Sequence, residues 1–154
     1  MSAEARLKEL GIELPPPGAP AGLYVPCVRS GNQLFVSGQV PRDAAGSGVA
    51  MQGKLGANVS IEEGAALART CAIQALGVVR AELGSLDRVV RVLRVAGYVA
   101  SAEGFTAHPQ VVNGASQLLV GVLGEAGRHA RIAIGVAALP SGVPVEVEFL
   151  FEVA

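Results

Sequence analysis

The sequence predicts an α+β fold, a β-sheet with two helices packed on one of its faces. The order of local patterns is the first reason: a strand pair, a helix, a strand, a helix and a second strand pair. The second is a capping box, Ser60-Ile61-Glu62-Glu63, which marks a helix start. The third is a central strand over residues 89–99 whose two faces are both apolar. Two helices most simply cover one face of such a sheet, so the other needs cover from neighbouring copies of the chain.

Residues 1–20 form an arm, and residues 21–154 form the domain. Ser2 caps a short helix held down by Leu7 and Leu10 and ended by Gly11. Leu14-Pro15-Pro16-Pro17-Gly18-Ala19-Pro20 follows as an extended linker, because Pro fixes φ and restricts the residue before it. Residues 24–29 and 33–37 read as strands joined at Ser30-Gly31-Asn32. Pro26 cannot donate to a ladder, so the first of them is an edge there. Ser37-Gly38-Gln39 ends the second strand, either as a bulge or as a place where backbone approaches a ligand closely. Residues 42–58 are loop-like. Their Gly46-Ser47-Gly48 is no phosphate fingerprint, since a third glycine and an immediate helix are missing.

After the capping box, Ile61, Ala65, Ala68, Ala72, Leu76, Val79 and Leu83 make one apolar stripe, and Gly84 stops the helix. In the central strand, Val89, Leu93, Val95 and Val99 point one way, and Val90, Val92, Ala96 and Tyr98 the other. A second helix spans residues 109–122, with Pro109 in its first turn. Val111, Val112, Ala115, Leu118, Leu119 and Val122 form its buried side, and Asn113 reads as an exposed or backbone-bonded amide. Residues 128–136 and 145–149 flank the turn Leu139-Pro140-Ser141-Gly142-Val143-Pro144 and read as a C-terminal hairpin.

The totals narrow the function. The chain has 154 residues, 12 basic and 13 acidic, for a formal charge of −1. Nothing in it is built to neutralise many phosphates or an anionic lipid surface, which argues against nucleic acid and membrane as partners. Apolar residues make up 51% and charged ones 16%. That is more apolar surface than a small domain hides alone, so an oligomer is expected. Cys27 and Cys71 lack motif spacing and read as small hydrophobes in a reducing compartment. The start, Met1-Ser2-Ala3-Glu4-Ala5-Arg6, lacks the features of a signal peptide, and a cytoplasmic protein is expected. His108 and His129 have no Cys, Asp or Glu partner at ligand spacing, so no metal and no cofactor is expected. His129 reads as a loop residue at the mouth of the hairpin.

The chemistry gathers on that hairpin. Arg131 has Ala133 and Gly135 as same-face neighbours at the period of two, which leaves room for a small anion beside a guanidinium fork that matches a carboxylate. Glu146 and Glu148 share one face of the return strand, opposite Val145, Val147, Phe149 and Phe151. The turn length leaves open whether Arg131 lies on the glutamate face or the phenylalanine face, since a slip of one residue exchanges them. An exposed cross-strand pair is the plain alternative to an anion grip and a base.

Three segments together resemble the YjgF/RidA family of reactive intermediate deaminases, formerly called L-PSP endoribonucleases. They are Gly22-Leu23-Tyr24-Val25 through Gly31-Asn32 to Val36-Ser37-Gly38-Gln39-Val40-Pro41; Val112-Asn113; and Ala130-Arg131 through Leu139-Pro140 to Val145-Glu146-Val147-Glu148. The resemblance implies a chorismate-mutase-like α+β unit, a homotrimer with sites in its subunit clefts, and hydrolysis of small enamine and imine acids such as 2-aminoacrylate. It implies that Arg131 grips the substrate carboxylate and Glu146 activates water. Tyr24, Ser37, Gly38 and Asn113 would line the pocket, with Ala133 taking part through its carbonyl. The chain departs from the archetype at His129-Ala130-Arg131-Ile132-Ala133, at Gly135 and at Ala138, and its arm and its 102–109 region are extra, as in a longer branch of the family. A module that binds a small carboxylate without turnover is the rival expectation. A ribonuclease is disfavoured by the near-neutral charge and by the lack of a paired acid and base on a basic face.

Overall fold

The computed structural model describes all 154 residues. In chain order the elements are α1 (Ala3–Glu9), β1 (Cys27–Ser30), β2 (Gln33–Gln39), α2 (Ile61–Leu83), β3 (Val89–Ala100), α3 (His108–Leu123), β4 (Ala130–Val136) and β5 (Val145–Val153). The five strands form one sheet in the order β1-β2-β5-β3-β4, and α2 and α3 pack together on one face of it. No helix is long and apolar enough to cross a membrane.

The local signals hold where they are chemical. Ser60 Oγ accepts from the Glu63 amide at 3.1 Å. The Glu63 carboxylate accepts in return from the Ser60 amide at 2.8 Å, which completes the capping box. Gly84 closes α2 in the left-handed conformation at φ 83°. Ser2 caps α1 by accepting from the Ala5 amide. The arm is pinned by Ala3 and Leu7, one turn apart and both buried, whereas Leu10 is exposed. The α2 stripe is wider than its periodicity implies. Ile61 is exposed, while Leu67, Cys71, Ala75 and Val78 are buried as well, because the helix meets both the sheet and α3. Close approach depends on small residues: a Cβ at Gly114 of α3 would collide with the Ala65 carbonyl.

The expected C-terminal hairpin does not form. β4 pairs in parallel with β3, Arg131 opposite Val95, after a crossover through α3. β5 inserts instead between β2 and β3, antiparallel to both. Burial explains the choice. Val145, Val147, Phe149, Phe151 and Val153 are all at most 3% exposed. They need a central position, whereas β4, with small residues and half-exposed isoleucines, suits an edge.

The two faces assigned to the central strand also need correction. Irregular pairing between Val92 and Arg94 inserts a bulge that puts Val92 on the core side with Val95 and Val99 and leaves Leu93 half-buried. Away from the helices, the sheet presents Val28, Phe35, Tyr98, Ile132, Ile134 and Leu150, with Glu146 and Glu148 among them. Val28 is 55% exposed and Phe35 47%. This is an uncovered apolar face in the isolated chain.

Candidate active site

The register decides where Arg131 points. Opposite Val95, a core residue that also faces Phe149, Arg131 lies on the helix side of the sheet, the phenylalanine face. Its guanidinium lies along α3. Nη1 donates to Asn113 Oδ1 at 2.8 Å and Ser116 Oγ at 3.1 Å, and Nη2 donates to the Pro109 carbonyl at 3.3 Å. Residues 109, 113 and 116 share one helix face at spacings of four and three, and together they aim the fork. These bonds leave the Nε–H and one Nη2–H free for a carboxylate. No acidic side chain of the chain pairs with Arg131. Asn113 is exposed, as expected, but it bonds the arginine rather than backbone. Ala133 follows on the same face and packs against the core.

Ser116 was not singled out by the sequence, though its helical spacing from Asn113 was the available signal. It links Arg131 to His129, which stands just before β4, with Ser116 Oγ 2.9 Å from His129 Nε2. Burial, and the neighbouring Arg131 charge after it, lower the His129 pKa.

Tyr24, Ser37 and Gly38 come together elsewhere, on the wall of a cleft of about 530 Å³ beside β2. Ser37 and Gly38 form a bulge where β2–β5 pairing is interrupted between Val36 and Gln39. Ser37 Oγ donates to the Val25 carbonyl at 2.6 Å, which ties β2 to the segment that carries Tyr24. The missing side chain at Gly38 makes room for the Glu146 carboxylate, which a Cβ there would strike. The bulge and the close approach thus occur at the same residue.

Glu146 faces away from the helices, opposite Tyr98, and neither donates nor accepts in any side-chain bond of the chain. Burial raises its pKa above 4.5, and the charge of Glu148 raises it further. Glu148 itself accepts from the Tyr98 hydroxyl at 3.0 Å and lies 3.5 Å from Arg94 Nη1. No group of three His, Cys, Asp or Glu side chains converges anywhere as a metal site would require.

The residues singled out from the sequence therefore fall into two half-sites. Arg131, Asn113 and Ala133 lie on the helix side at the β4 edge. Glu146, Gly38, Ser37 and Tyr24 lie around the β2–β5 junction, with Glu146 on the opposite face of the sheet. One copy of the chain does not bring the guanidinium and the carboxylate together.

A sheet with two helices on one face and these two polar clusters defines a chorismate-mutase-like α+β protein. The chain belongs to the YjgF/chorismate mutase-like family, whose profile matches residues 4–152. It is similar to Protein TCP17 of Trypanosoma cruzi, 50% identical over 149 residues that make up 96% of this chain and 92% of that protein. It resembles the crystal structure of Atu1372 from Agrobacterium tumefaciens, a protein of unknown function, with 42% identity and a TM-score of 0.90 over 99% of this chain and 92% of that one. To RidA from the Antarctic bacterium Psychrobacter sp. PAMC 21119 it is 25% identical, with a TM-score of 0.61 over 90% of this chain and 94% of that one.

Proposed function

We propose that the chain is a cytoplasmic deaminase that hydrolyses small enamine or imine carboxylic acids to keto acids and ammonia, working as a homotrimer. In this reading Arg131 of one copy and Glu146 of the next meet in the cleft between them. The observation that carries it is the state of the two groups: a guanidinium aimed by three bonds yet free of any carboxylate, and a half-buried, unpartnered carboxylate with a raised pKa. The uncovered apolar face with Val28 and Phe35, and the exposed Ile132 and Ile134 of edge strand β4, support association of copies.

The chemistry asks little beyond this. An imine carbon is already electrophilic, and an enamine becomes an imine by taking a proton at its β-carbon. Arg131 fixes the substrate by its carboxylate, and Asn113 holds Arg131. Glu146, ionised, takes a proton from the water that attacks that carbon and returns it to the nitrogen, and the carbinolamine then expels ammonia to leave the keto acid. Orientation together with general base catalysis worth about 10²–10⁴-fold accounts for such a step. A binding module would need Arg131 but has no use for a basic Glu146.

The test is keto-acid release from 2-aminoacrylate generated in a coupled assay. Arg131→Ala is expected to abolish it while the protein stays folded and assembled. Equal rates in mutant and wild type would reject the assignment. Binding of keto acids lost in the mutant, with no turnover of any imine by the wild type, would establish the module instead.

A further inference from the structure

The cleft that holds Tyr24, Ser37 and Gly38 has one charged side chain on its wall, Arg42. Its position is fixed from several sides. The Arg42 amide donates to Gln74 Oε1 of α2 at 2.9 Å, and Gln74 Nε2 donates to the Val40 carbonyl at 2.9 Å. Gln74 is 8% exposed, and it also meets Gln39, whose amide donates to the Ser37 carbonyl. This buried glutamine pair ties the whole stretch from Ser37 to Arg42 to one helix. The arm closes over the guanidinium: a Cβ at Gly18 would fall on it, so glycine at that point of the proline-rich linker lets the backbone rest against the charge.

The guanidinium nevertheless makes no hydrogen bond and no ion pair within the chain. Asp43, the nearest acid in sequence, accepts from the Ser47 amide through Oδ1 at 3.1 Å and forms no ion pair with Arg42. A half-buried fork of donors, anchored through its backbone, lines this acid-free cleft and an adjoining one under the proline linker, where Asp43 also lies without pairing with it, and it is arranged for an anion supplied from outside. The cleft, about 530 Å³, is larger than a three-carbon acid requires.

We propose that Arg42 forms a subsite for a second anionic group, so that the substrate is the imine or enamine of a dicarboxylic acid. One carboxylate is held at Arg131 of one copy and the other at Arg42 of the next, the copy that supplies Glu146. The inference rests on the deaminase reading for the reaction, though not for the binding. It is a specificity device that the resemblance to the deaminases does not supply, and Arg42 lies outside the residues for which that resemblance implies a role.

Calorimetric titration of the assembled protein with 2-oxoglutarate and with 2-oxobutyrate tests it. Wild type should bind the dicarboxylate about 10–100-fold more tightly, the worth of a charge-assisted bond. Arg42→Met should bring the ratio toward unity, and Arg42→Lys should keep part of it. Equal affinities in wild type, or a ratio that survives Arg42→Met, would overturn the subsite. Turnover of the imines generated from glutamate and 2-aminobutyrate separates the two claims. Activity on both with no ratio that depends on Arg42 defeats the subsite and spares the deaminase. An Arg42-dependent binding ratio without turnover of either imine upholds the subsite and defeats the deaminase.

Discussion

The Ser116 hydroxyl lies 2.9 Å from His129 Nε2, and the far side of the ring fixes which of them donates. His129 Nδ1 is 2.6 Å from the Gly127 carbonyl. That carbonyl can only accept, so the proton is on Nδ1 and Nε2 takes the Ser116 hydrogen. Ser116 Oγ is then free to accept from Arg131. A neutral imidazole thus holds the serine that holds the arginine. Ser116→Ala should raise KM for a carboxylate substrate about 10-fold, as loss of one bond to a charged group does, and should move kcat less. Unchanged KM would show that Asn113 and Pro109 suffice. The pH dependence has a definite sign. The folded ring titrates below its ordinary 6.5, so under that pH the unfolded chain binds more protons. Stability from this group is complete above about 6.5 and is lost as pH falls toward the lowered value. His129→Gln should therefore lose less thermal stability than wild type between about pH 7 and about pH 5.

Gly38→Ala places a methyl group where the Glu146 carboxylate rests. The obstructed atoms are the end of a flexible side chain, so the backbone has no need to move. Thermal stability should change by less than about 1 kcal/mol, while deamination should fall about 100-fold because the carboxylate is displaced. A large loss of stability, or full activity, would contradict this picture of the junction.

The fold was legible wherever a single residue type dictates geometry. The Ser60 box and the Gly84 stop needed no tertiary information. The partner of β4 did need it: the Leu139–Pro144 turn looks alike whether β5 folds back on β4 or passes beyond β3. Only the burial demanded by Phe149 and Phe151 decides between these, and burial belongs to the whole sheet. The bulge near Arg94 is equally silent in sequence and moved Val92 to the core. Glu146 and Gly38 share no local pattern, and their contact follows from β5 lying beside β2. Arg42 looked like the first residue of a loop because its anchor, Gln74, is far away along the chain.

Glu146 must be ionised to act as a base, and its pKa lies above 4.5. Activity should fall as pH drops through the Glu146 pKa, giving an acid limb of kcat/KM that burial and Glu148 push upward and the neighbouring copy's Arg131 pushes downward. The first cause is burial and the second is the charge of Glu148, so Glu148→Gln removes the smaller one. The amide still offers an oxygen to the Tyr98 hydroxyl. The limb should shift to lower pH. A limb that stays fixed in Glu148→Gln would mean that another group controls it.

Arg131 and Glu146 stand on opposite faces of one sheet, so the proposed reaction requires two copies. In a cyclic assembly each site takes its arginine from one subunit and its glutamate from the neighbour. Arg131→Ala and Glu146→Gln should each be inactive alone, since every site then lacks one group. Co-expressed in equal amounts, they should recover about one quarter of wild-type activity, because a site is intact only when both contributing subunits carry the right residue. Assemblies purified with two different tags would confirm that mixed species carry the recovered rate. If the two groups acted within one subunit, mixing would restore nothing, because every subunit would still lack one of them.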